Sequence, residues 1–476
     1  MTASDEGRWV KNRRRLALLG PQASDRIKAQ VPHAATDQSD GGGQSANVVP
    51  FEIREDHSAI QFATVQLFVV VYLQKFAVGP LSSQISLPIL IMLCHIGYML
   101  MTGRMQFAPL RLACYLMFAS SCFISQEISG ARFSIPSVVE LLLIYSFLTV
   151  TSFVSESAYQ LILKRFIALM IIPAVIALVQ YFYQKMTGLS DPISMNRVFP
   201  KSILLQGYFY DAHYPWYSTF QRPNGFFFLE PSFLSMFTAS AAIIELTYFK
   251  RIWYALLMIG ATAFSTGGTG LTMLLIAAPF LLVRQTLPVI LLIGVAALLA
   301  LSVAIALNMP LPLVSRLGEL NAGTSASGGD RIMVPAEQFI RLLFDPSFLL
   351  TGTGAGSTTS AFGNAWPVVK LINEYGLLTT ILYVALYLMA IARSFNVPLA
   401  IAISLIFHFT GGYLLDACVV QFMAVIFCMV VPLSRVGRGP PHAAYTVNGD
   451  RPNIRVPPEA NIRNCSPGVG LAAREP

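Results

Sequence analysis

Two stretches of this chain set charged residues within or beside strongly apolar sequence, and their residue types suit phosphate binding and proton transfer. The first, Gln221 to Ser232, reads Gln-Arg-Pro-Asn-Gly-Phe-Phe-Phe-Leu-Glu-Pro-Ser; it closes a polar, aromatic loop and opens an apolar helix, so Arg222 and Glu230 fall at a membrane face. The second runs from Gly328 to Gly376 and carries Asp330-Arg331, Gly352-Thr-Gly-Ala-Gly356 and Asn373-Glu374-Tyr-Gly376. A charge at the centre of a spanning helix costs roughly 2.5–3.5 kcal/mol, less near the interface, so ionisable groups there call for a function and a partner. Arginine contacts phosphate oxygens in bidentate fashion and keeps its charge at any relevant pH, which makes Arg222 and Arg331 candidates to hold a pyrophosphate leaving group. Glu230, Glu374 and Asp330 are candidates to accept a proton from an attacking hydroxyl, because partial burial raises a carboxyl toward that task. The same groups could instead neutralise one another near lipid, Arg222 with Glu230 and Arg331 with Asp330. Both stretches join an arginine and an acid to glycine-rich or aromatic surroundings, which favours chemistry and places the two over one site.

The elements that must position these residues are membrane helices. Of 476 residues, 55% are hydrophobic and 12% charged, and the mean hydropathy is +0.61; soluble domains carry about a quarter charged residues. A span needs about 20 mostly apolar residues. About twelve fit, near 60–78, 85–102, 107–125, 135–154, 164–184, 231–249, 252–266, 269–283, 286–307, 369–392, 397–415 and 417–434. Their run lengths predict an all-α polytopic protein, since barrel strands would alternate about every second residue.

Loop charges set the expected orientation, because Lys and Arg are retained on the cytoplasmic side. With Lys11, Arg13, Arg14 and Arg15 inside, the connections carrying Arg104 and Arg111, Lys164 and Arg165, Lys250 and Arg251, Arg284, Arg393, and Arg435 and Arg438 all fall inside too. The long loops 185–230 and 308–368 then face outward. The formal charge of +8 reads as this topology and not as nucleic-acid binding. Residues 1–57 and 435–476, rich in Gly, Ser and Pro, are expected to be disordered cytoplasmic tails around a domain at 58–434.

Loop 185–230 packs Tyr208, Tyr210, Asp211, His213, Tyr214, Trp216, Tyr217 and Phe220 before Arg222. Aromatic density of this kind suits the C–H faces of sugars and equally suits an interfacial belt. Tyr210, Asp211, His213, Trp216, Asn224, Asn364 and Asn373 are the candidate substrate contacts. His95 and Glu140, isolated within predicted spans, read as interhelical contacts outside the site. Phe264-Ser-Thr-Gly-Gly-Thr-Gly270 reads as a tight turn, with an anion-binding concavity as the alternative. An amphipathic helix is expected over Pro335–Phe344, and Leu350–Ser357 is expected to be a flexible glycine loop. Five of the six cysteines lie in predicted spans, so packing and not a disulfide framework is expected. No Asp-x-Asp or His-Glu-x-x-His occurs, and no metal site or cofactor is expected.

Arg222-Pro-Asn-Gly-Phe-Phe-Phe-Leu-Glu230-Pro-Ser resembles the Arg-x-x-Gly…Glu-Pro-Ser element of bacterial O-antigen and exopolysaccharide polymerases. Asp330-Arg331, Gly352–Gly356, Asn364 and Asn373-Glu374-Tyr-Gly376 resemble the large periplasmic loop of the O-antigen ligase and Wzy polymerase superfamily, over roughly residues 60–434. The resemblance implies a metal-independent, inverting glycosyltransferase with a GT-C-like membrane fold, in the bacterial inner membrane with both termini cytoplasmic. It implies transfer of a glycan from undecaprenyl pyrophosphate to an acceptor hydroxyl on the periplasmic face, with Arg222 and Arg331 on the pyrophosphate and Glu374 at the acidic position after the loop. A flippase and a chain-length regulator of the same pathway are the implied partners, beside membrane lipid. Ligases usually carry a His before the loop Asn, whereas Ala361-Phe-Gly363 precedes Asn364 here. That departure points to polymerisation, leaves the general base unassigned, and keeps ligation and non-enzymatic transport as alternatives.

Overall fold

Long apolar runs interrupted by Pro, Gly and basic turns fold, in the computed structural model, into a helical bundle. The structure describes residues 51–78, 85–130, 134–189, 195–208, 220–284, 327–344, 346–358, 365–392, 394–409 and 414–433. Its helices of six residues or more are α1 (Phe51–Tyr72), α2 (Leu87–Met101), α3 (Pro109–Ser129), α4 (Ile135–Ser146), α5 (Glu156–Thr187), α6 (Pro231–Ile244), α7 (Ile252–Phe264), α8 (Gly268–Arg284), α9 (Ser327–Phe344), α10 (Pro346–Thr351), α11 (Pro367–Ile391), α12 (Val397–Phe409) and α13 (Ala417–Met423). Among the described residues three helical segments are long and apolar enough to cross a membrane: Glu156–Thr187, Pro231–Phe249 and Pro367–Ile391. Six shorter apolar helices accompany them.

The centre is α6. All fourteen of its residues are buried, as befits a helix that is apolar or small on every side. It packs against α5, α7, α8 and α12. Ser235 and the glycines of the α7–α8 turn permit the close approach to α8: a side chain at Gly270 would meet the Ser235 carbonyl oxygen at 2.1 Å, and Gly270 N–H donates to Ser235 Oγ at 3.1 Å. Small residues at such crossings let backbones meet. The Phe264–Gly270 stretch is thus a tight turn.

Two predicted spans end differently from expectation. The segment 135–154 is helical only to Ser146, passes through a 3-10 turn at Phe147–Thr149 and finishes as strand β2 (Val150–Val154). Segment 417–434 is α13, a π-helical turn at Ala424–Met429 and strand β3 (Val430–Pro432). β2 pairs antiparallel with β1 (Gln106–Phe107) and parallel with β3, Phe153 opposite Val431. Both strand segments are rich in Val, whose branched side chain favours the pleated surface over a helix end. Arg111 caps this join, its guanidinium donating to the carbonyls of Cys428 and Val150 at 3.3 and 3.2 Å.

Other boundaries also move. α1 begins at Phe51, inside the expected tail. α9 begins at Ser327, with Pro335 inside it, so Asp330 and Arg331 lie in its first turn and not in a loop. The predicted span 286–307 and the tail 435–476 lie outside the described residues. Of the cysteines in spans, Cys114, Cys122, Cys418 and Cys428 are buried and free, and Cys94 is exposed. His95 is an interhelical contact, its Nδ1 2.7 Å from Gln66 Nε2.

Candidate functional site

The Gln221–Glu230 segment is irregular backbone set among helices, so its amides and carbonyls need partners that lipid cannot give. Buried glutamines supply them. Gln184 of α5 accepts from Gln221 N–H at 2.9 Å and donates back to Gln221 O at 3.0 Å. Gln180 accepts from Gly225 N–H at 3.0 Å, and Gln74, just beyond α1, accepts from Leu229 N–H at 3.2 Å. Asn224 Oδ1 accepts from Phe226 N–H at 3.0 Å, turning the chain through Gly225 (φ 62°) and Phe226 (φ 70°). Only glycine fits at 225, where a Cβ would lie 2.9 Å from the Pro173 carbonyl oxygen. Pro173 itself interrupts α5, and the Leu169 carbonyl that it leaves unbonded accepts from Tyr72 OH at 2.8 Å. Asn224 is therefore part of the turn. Arg222 is half-buried at one end of the segment, and Glu230 stands at the N-cap position of α6 at the other, its Oε2 accepting from Ser232 Oγ at 3.1 Å and not from a helix amide.

The glycine stretch folds as a second knot. α11 is broken at Gly376 (φ 79°, ψ 173°), and a Cβ there would sit 2.2 Å from the Leu350 carbonyl oxygen. Gly352 closes the same contact from the other side, 2.6 Å from the Glu374 backbone by the same measure. Gln126 of α3 donates to Glu374 O at 3.1 Å and accepts from Ala355 N–H at 2.8 Å. Asn373 Nδ2 donates to Thr358 Oγ1 at 2.7 Å, and the Asn373 carbonyl accepts from Thr353 N–H at 2.6 Å. The Glu374 carboxylate accepts from Thr358 N–H at 3.3 Å and lies 3.9 Å from Lys370 Nζ. The loop expected to be flexible is pinned on both flanks, and Asn373 and Glu374 do the pinning.

A polar cavity of about 240 Å³ is lined by Ser86, Glu140, Leu205–Tyr208, Leu229 and Leu415–Cys418; the first region reaches it through Leu229, and among the described residues the glycine stretch contributes none of its lining. Four connections build it. Extended chain after α1 hydrogen-bonds on one flank with Ile203–Leu205 and on the other with Ile85–Leu87, which sets Ser86 and Tyr208 on the wall. Ser134 N–H donates to the Ala355 carbonyl at 3.0 Å, docking α4, and with it Glu140, onto the glycine knot. Asp416 N-caps α13, accepting from Val419 N–H at 3.0 Å, while Tyr145 OH of α4 holds the Leu414 carbonyl at 3.1 Å. Gln206 and Gly207 are exposed and form the mouth; Asp416 is 2% exposed.

Burial pushes the Asp416 carboxyl up to about 7; the Val419 amide lowers it, and the charges of Glu230 and Glu140 raise it further. A carboxyl so placed takes up and gives back a proton near neutral pH. Lys370 is the cation whose charge acts on Glu140, and it thereby connects the cavity to Glu374.

The structure thus brings Glu230 together with two acids that the sequence did not assign to the site, Asp416 and Glu140. Glu140 looked like an isolated helix polar group; Asp416 follows Leu414-Leu415 with no companion charge nearby in sequence. A signal was available for Asp416 alone, which stands between two apolar runs at the start of α13; Glu140 lies in the middle of α4. Tyr210, Asp211, His213, Trp216 and Asn364 lie outside the described residues, and Asp330 and Arg331 are placed by backbone alone. No three His, Cys, Asp or Glu side chains among the described residues converge to hold a metal ion. No protein-family model, curated protein or solved structure matches this chain.

Proposed function

We propose that this chain is an inner-membrane polysaccharide polymerase of about twelve spans, with both termini cytoplasmic. It joins lipid-pyrophosphate-linked glycan repeat units on the outer face. The observation that carries this reading is the acid-lined cavity, where Asp416 and Glu140 converge beside Glu230, ten residues or fewer along the chain from Arg222. The acceptor hydroxyl gives its proton to a cavity carboxylate, Asp416 in the first instance. Its oxygen bonds to the donor sugar's anomeric carbon from the face opposite the leaving group, and the anomeric carbon–oxygen bond to pyrophosphate breaks with its electron pair on the phosphate. Arg222 and Arg331 receive that charge. Orientation of two lipid-tethered reactants supplies much of the remaining rate. The pathway's flippase would deliver the units and a chain-length regulator would set when growth stops.

Purified protein in lipid, given undecaprenyl-pyrophosphate-linked repeat units and no other acceptor, tests this directly. A ladder of longer lipid-linked glycans, lost in Arg222→Ala, is the expected result. Product that forms only after lipid A core is added would replace the reading with ligation.

Transport has one observation in its favour, the break in α11 at Gly376, because transporters bind substrate at interrupted helices. Here the Glu374 carbonyl at the break accepts from Gln126 and Gly354 of the chain itself, and the Asn373 carbonyl accepts from Thr353, which supports a structural use of the interruption. Counterflow of a labelled lipid-linked glycan across proteoliposomes, with no ladder, would establish transport instead.

A further inference from the structure

We infer that the cavity walled by Ser86, Glu140, Tyr208 and Asp416 seats one sugar ring of the acceptor, and that it admits neutral or amino sugars and turns away sugars bearing a carboxylate or phosphate. The inference rests on the polymerase reading for the word acceptor; the binding chemistry stands on the cavity itself. At about 240 Å³ it holds several waters' volume and falls below the ~300 Å³ at which pockets for larger ligands begin, which suits a single ring with the rest of the glycan leaving through the mouth at Gln206 and Gly207.

Its wall is made for hydrogen bonds to hydroxyls. Glu140 and Asp416 offer carboxylate acceptors, and Tyr208 offers a ring face and a phenol. Ser86, 5% exposed, supplies a second observation that points to a ligand: among the described residues its Oγ has no oxygen or nitrogen partner and bonds only to the weakly polar Cys418 thiol. A buried hydroxyl left in this state gains a partner when a sugar enters.

The field sets the selectivity. Among the described residues no Lys or Arg lines the cavity; Lys370 acts on Glu140 from outside the lining, and the charges that shift Asp416 are both carboxylates, Glu230 and Glu140. An anionic sugar would bring like charge into a site with little water to screen it, whereas an amine would be drawn in. The pyrophosphate is thereby assigned elsewhere, toward Arg222.

The test is binding without turnover. Dicyclohexylcarbodiimide modifies buried, protonated carboxyls, and adducts at Glu140 and Asp416 can be followed by mass spectrometry on the full-length protein in lipid nanodiscs. Maltotriose, tri-N-acetylchitotriose and chitosan triose serve as neutral and amino probes, with trigalacturonate as the anionic one. Titration of a neutral or amino probe to ten times its apparent Kd should slow labelling at both residues about tenfold, and trigalacturonate should leave the rate unchanged. Ser86→Ala should raise the concentration needed for protection. Equal protection by trigalacturonate, or none by any neutral or amino probe, overturns the inference. A polymer ladder without protection sinks the inference alone, and protection without a ladder sinks the polymerase reading alone.

Discussion

Helix α6 carries a glutamate at each end, and the two are treated in opposite ways. At its far end Glu245, 0% exposed, is sealed: Arg251 donates from Nε to Oε1 at 2.9 Å and from Nη2 to Oε2 at 2.7 Å, and the Arg251 amide adds a third bond at 2.9 Å. Phe395 packs nearby between Tyr159 and Tyr248, and Lys164 and Arg251 lie over Phe249, so this end is tied down by rings and cations. At the near end Glu230 adds its charge to that of Asp416, which with Glu140 lines an open cavity. A carboxylate matched by a bidentate guanidinium is architecture, because its charge is already answered. Carboxylates gathered without a lining cation cost stability and persist where a ligand or a proton uses them. The difference separates the acids of this chain by role, and it extends to Glu374, whose bonds to Thr358 and Lys370 place it with the architectural group.

The comparison breaks most readily at the cavity. Asp416→Asn should reduce glycan polymerisation by about 10²–10⁴-fold while leaving the thermal unfolding midpoint unchanged or higher; a variant that polymerises normally would remove Asp416 from the chemistry. Gly376→Ala should act the other way, through the fold: a left-handed backbone and a methyl against Leu350 O cost about 3 kcal/mol or more, read as loss of the monodisperse peak in fluorescence-detected gel filtration. Arg251→Ala leaves Glu245 buried without its partner. Because solvent reaches the guanidinium, whose side chain is 42% exposed, the expected loss is about 2 kcal/mol, less than for a fully buried pair, with activity per folded molecule retained. If Arg251→Ala and Asp416→Asn gave the same pattern, the two ends of α6 would not differ in role.

Much of this was legible in the sequence where a single rule governs. Apolar run length located nearly every described helix, and the Asn-Gly pair at 224–225 with the three glycines at 352, 354 and 356 marked where the backbone must turn. Three things were not legible. The Val-rich ends of 135–154 and 417–434 are apolar whether helical or extended, and hydropathy cannot tell a helix end from a strand that finds partners more than a hundred residues away. The glutamines were silent for a different reason: Gln74, Gln126, Gln180 and Gln184 look like stray polar groups in apolar helices, and only the fold shows that each answers an irregular backbone group. Glu140 and Asp416 stayed hidden likewise, since residues more than 270 positions apart become one site only when α4 and α13 are placed side by side.

The smallest expected effect is also the most specific to the cavity. The folded chain holds the Asp416 proton up to about pH 7, whereas the unfolded chain releases it near the ordinary 3.8. Between those values the folded state binds more protons, so stability falls as pH rises, by up to about 1.4 kcal/mol per pH unit where this group alone titrates. The charges of Glu230 and Glu140 act on Asp416, and the Tyr208 phenol stays neutral because burial holds it well above its usual range. Activity should run opposite to stability, rising through about pH 7 as Asp416 becomes the base. Unfolding midpoints and polymerisation rates measured from pH 5.5 to 8 check both slopes, and Asp416→Asn should flatten the first. Parallel stability slopes in the variant and the parent would mean that the proton resides on another group and that the two ends of α6 do not differ in charge as described.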